Sequence, residues 1–343
     1  MTEATTIPVV TPVDRRADIL SVISRFGLLL GFVALCAFFS ARSDLFLTGG
    51  NIKNIGISSS ILLIVAVPQA MLVIMGYVDL SVGSVLGICG VVTGQLIVVH
   101  HVAWQVAALV GLLAGAVVGI LNGLLVTYAG LSPIIVTLGG LQLYRGLAQY
   151  LAPDLPTGFG NGMALLGRGV YLGIPVVILI TVLVFLTGVI VVYAIPAGRH
   201  MFALGVNRDA SYMSGIATRR LPILAFAATG FAAALGGVLL AARLDAAPPS
   251  TLGAGFELQV LTAVLLGGVA FSGGRGSMLG VVLGVFFLGV LSNGMTLLNV
   301  SSYGQSIASG VALILAAGLD ELGTGTSLLR KLVRRRPPQG RSG

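Results

Sequence analysis

A chain of 343 residues in which 56% are hydrophobic and only 9% charged, with a mean hydropathy of +1.04, exposes too much hydrocarbon to be a water-soluble domain. Its net charge of +8 does not point to nucleic acid, because the basic residues cluster in loops and tails between apolar runs, where membrane topology accounts for them. Cys36 and Cys89 lie in apolar runs and define no disulfide framework, and His100, His101 and His200 lack metal-ligand spacing, so neither a metal nor a resident cofactor is expected.

Residues 1–18 are polar, hold Pro8 and Pro12, and read as a disordered tail. Arg15, Arg16 and Arg25 precede the first apolar run at 26–41. Small residues near the end of that run suit a signal-peptide core, but the long basic region and the many later spans favour an uncleaved helix. Further spans are predicted at 55–76, 83–99, 103–126, 133–151, 172–195, 221–241, 258–271, 278–298 and 303–319. Most are long enough for a hydrocarbon layer of roughly 30 Å. Ten spans make an all-α membrane domain over 19–323, followed by a basic tail over 324–343, and put both termini on one side. With that side cytoplasmic, inner segments collect 14 Lys and Arg residues and outer segments four (Arg42, Lys53, Arg168 and Arg243), so the positive-inside rule selects cytoplasmic termini in a multi-pass cytoplasmic-membrane protein. The run 258–271 is too short to cross alone and is predicted to be a broken or partly re-entrant helix, tolerated only where protein or a wet cavity surrounds it.

The stretch "MGYVDLSVGSVLGICG" (75–90) sets one carboxylate, Asp79, between two apolar runs. Placed at the start of the helix near Val82, the acid can accept hydrogen bonds from free backbone N–H groups and meet the positive end of the helix dipole, worth roughly 0.5–2 kcal/mol. At the bilayer centre it would cost about 2.5–3.5 kcal/mol on insertion scales, so a place near the inner interface is expected. Asp79, Ser81 and Gly83 then either close a turn between two spans or border an inner gate. "GAVVG" (115–119) and "GVVLG" (280–284) are small-xxx-small patterns for close helix packing. Asn122-Gly123 and Asn293-Gly294 follow them at opposite sides of the membrane, as two halves of inverted topology would arrange.

No GxxxxGK[ST] phosphate loop exists, since Lys53 and Lys331 are the only lysines and neither follows glycine. "GGVAFSGGRG" (267–276) lacks that lysine and reads as a tight inner turn. Asp79, Arg145 and Glu257 are few ionisable groups for an ion-coupled carrier, so the energy comes from a partner or the protein is a passive pore. The longest inner connection, 196–220, is predicted to hold a short helix capped by Asn207 and stopped by Gly215, with Tyr212 and Met213 as knobs for a separate ATPase.

These residues resemble a known family, the permease subunits of ATP-binding-cassette sugar importers of the ribose, xylose and galactose type. The marks are "GYVDLSVGS" (76–84), "SPIIVTLGGLQLYRG" (132–146), "GRHMFALGVNRDASYMSGI" (198–216), "GAGFELQVLTAVLLGGVAFSGGRGSMLG" (253–280) and "LSNGMTLLNVSS" (291–302), in the family's order. The resemblance implies a fold like that of the vitamin B12 importer (type II) class. It also implies a second permease copy or paralogue, two cytoplasmic ATPase domains that bind the ATP, and an extracytoplasmic sugar-binding protein. Gly205, Asn207, Arg208, Asp209, Tyr212, Met213 and Gly215 then form the region that couples to the ATPase. Gln259 stands where the family often carries aspartate, and "DAAPPS" (245–250) is unusually proline-rich; both bear on substrate and receptor docking.

For a sugar, neutral donors and acceptors suffice, so Asn122, Thr137, Gln142, Gln259 and Asn293 join Arg145 and Glu257 as pathway candidates. Arg145 is expected to snorkel or bond backbone carbonyls, and Glu257 to sit at a helix start. The outer loop 152–171 is either a dock for the binding protein or a disordered connector. An ion-coupled secondary carrier and a passive sugar or polyol channel are the rival readings. In all three the chain is no enzyme.

Overall fold

Each of the ten apolar runs folds as a helix, and turn residues set where each one stops. A computed structural model describes residues 15–323. In chain order the helices are α1 (Arg15–Arg42), α2 (Gly49–Ile74), α3 (Val82–Val98), α4 (Trp104–Thr127), α5 (Pro133–Leu151), α6 (Gly160–Arg168), α7 (Val176–Val189), α8 (Pro196–Val206), α9 (Arg208–Met213), α10 (Arg220–Leu244), α11 (Phe256–Leu266), α12 (Met278–Leu297) and α13 (Ser302–Gly323). A two-stranded hairpin, β1 (Val170–Tyr171) and β2 (Ile174–Pro175), leads into α7, which continues as a π turn over Ile190–Ala194. Of the tail expected over 1–18, residues 1–14 lie outside the described residues, as does the basic tail over 324–343.

By length and composition, α2, α4, α7 with its π turn, α10 and α12 can each cross a membrane, while α3, α11 and the stretch 27–42 of α1 are apolar but shorter. Ten crossings therefore remain a reading of the sequence. The bundle winds around α2. Its most apolar window is 89% buried, against 22% for α7 and 33% for α4, because a helix that is apolar all round belongs inside. Helices α7, α10, α11 and α12 all pack on α2. By contrast α4 turns Leu109, Leu113, Val117 and Leu121 outward, as a helix facing lipid tails should.

The glycine patterns do the packing expected of them. Gly115 and Gly119 of α4 lie against Gly230 and the Phe226 carbonyl of α10, with no room for a Cβ. Gly280 and Gly284 of α12 lie in the same way against Gly267 and Ala263 of α11. Backbones can approach this closely only where side chains are missing, and dispersion then replaces the hydrophobic drive that lipid does not supply.

Two connections hold more structure than their composition suggests. The loop 152–171 contains α6, whose Gly162 sits on the Trp104 indole and whose Gly167 sits on the backbone of Ala242 and Arg243. The segment 196–220 holds two helices, α8 and α9, that share Asn207 as the end of one and the cap of the next. The run 258–271 starts and ends early, as α11, because Gly268 (φ +80°) closes the helix at Leu266.

The close α4–α10 seam gives a direct test. Gly119→Leu should overpack it and cost roughly 1–3 kcal/mol or more, whereas Gly310→Leu on α13, where a Cβ meets nothing, should leave the melting temperature in detergent unchanged.

Candidate functional site

The two marked glycine-rich stretches build the same device. At the end of α2, Gly76 (φ +81°) takes the left-handed conformation, its N–H bonding Val73 O at 2.9 Å while Tyr77 N–H bonds Leu72 O at 3.0 Å. At the end of α11, Gly268 does the same toward Leu265 O (2.9 Å), and Val269 toward Val264 O (3.3 Å). Both are Schellman endings, which use up orphan carbonyls inside a bundle where water cannot serve them. After each break a serine precedes the next helix, Ser81 before α3 and Ser277 before α12.

Asp79 is 2% exposed, enclosed by the protein around it. Its Oδ1 accepts the Ser81 N–H at 2.8 Å and the Ser81 hydroxyl at 2.6 Å. The acid therefore closes the turn ahead of α3 instead of capping the first N–H groups of the helix itself. Ser81 Oγ accepts from Asn122 Nδ2 of α4 (3.0 Å), and Asn122 Oδ1 accepts from the Tyr144 hydroxyl of α5 (2.9 Å). Gln69 of α2 donates to the Asp79 carbonyl at 3.3 Å. Thus α2, the break, α4 and α5 are tied by one buried polar chain, and the cost of burying a carboxyl group is offset by hydrogen bonds.

Beside it, the segment 245–255 descends from the α6 end of the bundle and delivers α11 against α3. Gly83, Gly87 and Gly90 share one face of α3 and receive it: a Cβ on Gly83 would strike the Glu257 carboxylate and the Gly253 carbonyl, and one on Gly87 would strike the Leu252 carbonyl at 2.6 Å. Arg145 Nη1 donates to that same Leu252 carbonyl at 2.6 Å, so its expected backbone bond is made. Glu257 stands in the first turn of α11, where the helix dipole favours an acid, and its Oε2 is buried without a hydrogen-bond partner.

Below the breaks, Asn207 Oδ1 caps α9 through Ala210 N–H (3.0 Å), and Gly215 (φ +79°) ends it with a third Schellman pattern, Gly215 N–H to Tyr212 O and Ile216 N–H to Ser211 O, both 3.0 Å. Tyr212 and Met213 are 72% and 89% exposed. A cleft of about 500 Å³ flanks them, lined among others by Tyr128, Arg208, Asp209 and Arg219; the Arg219 guanidinium lies 5.4 Å from the centre of the Tyr128 ring. Gly205, in the last turn of α8, sets its bare Cα face against both the Ile74 carbonyl and the Gly274 backbone, leaving no room for a Cβ, and Gly274 N–H itself bonds Ile74 O at 2.8 Å. One glycine thus touches both breaks, and α9 begins three residues later.

The structure gathers Asp79, Ser81 and Asn122 into one network and sets Arg145, Glu257 and Gly83 beside it. Other candidates lie elsewhere. Thr137 is buried in α5 and bonds Pro133 O within its own helix at 2.8 Å. Asn293 is at the opposite end of α2, where it and Asn51 exchange two 2.9 Å amide bonds. Gln142 and Gln259 face outward on α5 and α11. Sequence reasoning missed Tyr144, Gln69, Leu252 and Ile74: they resemble ordinary core residues, and only the fold supplies partners tens of residues away. Among the described residues no cluster of three or more metal-ligating side chains occurs.

The family described as branched-chain amino acid transport system / permease component matches residues 51–317. The ribose import permease protein RbsC of Bacillus subtilis is 35% identical over 90% of this chain and 96% of its own length. The D-allose transport system permease protein AlsC of Escherichia coli is 32% identical over 87% of this chain and 92% of its own. The L-arabinose ABC transporter permease protein AraH of Azospirillum brasilense is 32% identical over 91% and 92%. No solved structure matches.

The buried chain predicts strong coupling between its members. Asn122→Ala and Tyr144→Phe should each destabilise the detergent-solubilised protein, Asn122→Ala by about 1–3 kcal/mol through stranded partners. The double variant should fall short of their sum by at least about 0.5 kcal/mol in thermal or denaturant unfolding.

Proposed function

Since the chain belongs to the branched-chain amino acid transport system / permease component family, we propose that it is the membrane subunit of an ATP-binding-cassette importer that carries a sugar or polyol of the pentose or hexose class by alternating access. It is a transport component and makes or breaks no covalent bond. Relatives named for ribose, allose and arabinose support the sugar reading and disfavour a secondary carrier or a passive channel. The working unit in this reading pairs the chain with a second permease copy or paralogue, two cytoplasmic ATPase domains and an extracytoplasmic sugar-binding protein. ATP sits on the ATPase subunits, and the permease itself uses no cofactor. Cytoplasmic termini, ten crossings, a membrane domain over 19–323 with short tails, and a vitamin B12 importer-like arrangement complete it, on the strength of the charge bias and the motif order.

The observation that carries the mechanism is the place of Gly205. Helix α9, with Arg208, Asp209, Tyr212 and Met213 available to an ATPase groove and Asn207 and Gly215 fixing its ends, is rigidly capped and joined to α8 through a single residue. When ATP draws the ATPase domains together, α9 moves, and Gly205 passes the displacement to Ile74 and Gly274. Ile74 ends α2 and Gly274 lies in the break that leads into α12, so the start of α12 shifts with α9 relative to α3. The Asp79–Ser81–Asn122–Tyr144 chain holds α3 in one of its positions, and Arg145 with Glu257 keeps the 252–257 entry seated on it. Between two copies, the outward faces of α5 and α11 would line the route with Gln142 and Gln259, neutral groups suited to hydroxyls and to weak, reversible binding.

Two variants test this in vesicles holding the complete importer. Gly205→Val should still co-purify with its ATPase yet lose at least about tenfold in uptake per ATP hydrolysed, equivalent to roughly 1.4 kcal/mol of lost coupling; unchanged uptake per ATP would contradict the route. Asp79→Asn, nearly isosteric, should assemble normally and impair uptake, and normal uptake would leave the acid with the turn alone.

A further inference from the structure

At the end of α2 opposite the breaks, a groove of about 600 Å³ opens between α1, α2, α7 and α12. Phe32 and Phe286 form its deep end, Pro175 and Ile178 one wall, and Leu47 and Lys53 its mouth. Phe32 lies ten residues before the end of α1 at Arg42, about 15 Å along the helix. That depth is one leaflet of a hydrocarbon core of roughly 30 Å. An apolar trough of this depth on a surface bathed in lipid is filled by hydrocarbon, not water.

Lys53 is the only charged residue among those lining the groove, and it is exposed in the second turn of α2. Among the described residues it forms no ion pair, Asp44 in the preceding loop included. The hairpin beside the mouth presents Tyr171 and Leu172, 65% and 85% exposed, an amphipathic ring and an apolar tip of the kind that anchors at an interface. We infer that this groove is a binding site for one anionic glycerophospholipid, an acyl chain lying between α1 and α7 and the phosphate paired with Lys53. The lipid braces α1 and α7 against α2 at the end remote from the ATPase.

Native mass spectrometry of the intact importer, released from nanodiscs of phosphatidylglycerol and phosphatidylcholine, tests the site. Wild type and Lys53→Arg should retain one phosphatidylglycerol in preference to phosphatidylcholine, and Lys53→Ala should lower that preference roughly fivefold. Ile178→Trp, which fills the trough, should expel both lipids. Equal retention of the two lipids by wild type, or an unchanged preference in Lys53→Ala, would overturn the assignment; so would a disulfide-linked permease dimer through Leu47→Cys in a Cys36→Ala background, which would give the groove to a second copy.

Discussion

A polypeptide that stops being helical inside an apolar bundle must find protein partners for its backbone N–H and C=O groups, and this chain does so twice. Gly76 and Gly268 turn the ends of α2 and α11 back on themselves, and the released segments are then served by side chains and by each other, down to the Gly274 N–H on the Ile74 carbonyl. The buried Asp79 network and the Gly205 contact are arranged around those two interruptions. The buried carboxyl of Asp79, the glycine face of α3, the 245–255 segment and the end of α8 all lie close to them.

The interruptions also explain where charge is tolerated. An acid alone in hydrocarbon is expensive, yet Asp79 is held by Ser81 and, through it, by Asn122 and Tyr144, while Arg145 spends its guanidinium on the Leu252 carbonyl. These groups serve geometry: each fixes the position of a helix start. Helices α4 with α10, and α11 with α12, are packed backbone to backbone through Gly115, Gly119, Gly230, Gly280 and Gly284.

The spans were legible because hydropathy at membrane depth leaves little choice of structure, and every predicted run became a helix. The local punctuation was legible too: Asn207 and Gly215 bound α9 as their chemistry demands, and the short α11 run declared itself by length. What stayed hidden is long-range. Nothing near Tyr144 announces a partner on α4, and Gly205 reads as one glycine among 49 until the fold sets two breaks against it. The sequence also understated α6, whose amphipathic turn is short and glycine-rich, and it gave no sign of the Ser81, Asn122 and Tyr144 hydrogen bonds that surround Asp79.

The central claim is that α9, Gly205 and the start of α12 travel as one piece when the partner ATPases close. Spin labels at Met213, at Leu279 at the start of α12, and at Val99 at the far end of α3, all exposed positions, report on it directly in the reconstituted importer. With ATP bound, the Met213–Leu279 distance should stay constant while both distances to Val99 shift. A change between Met213 and Leu279, with Leu279 to Val99 unchanged, would contradict the account.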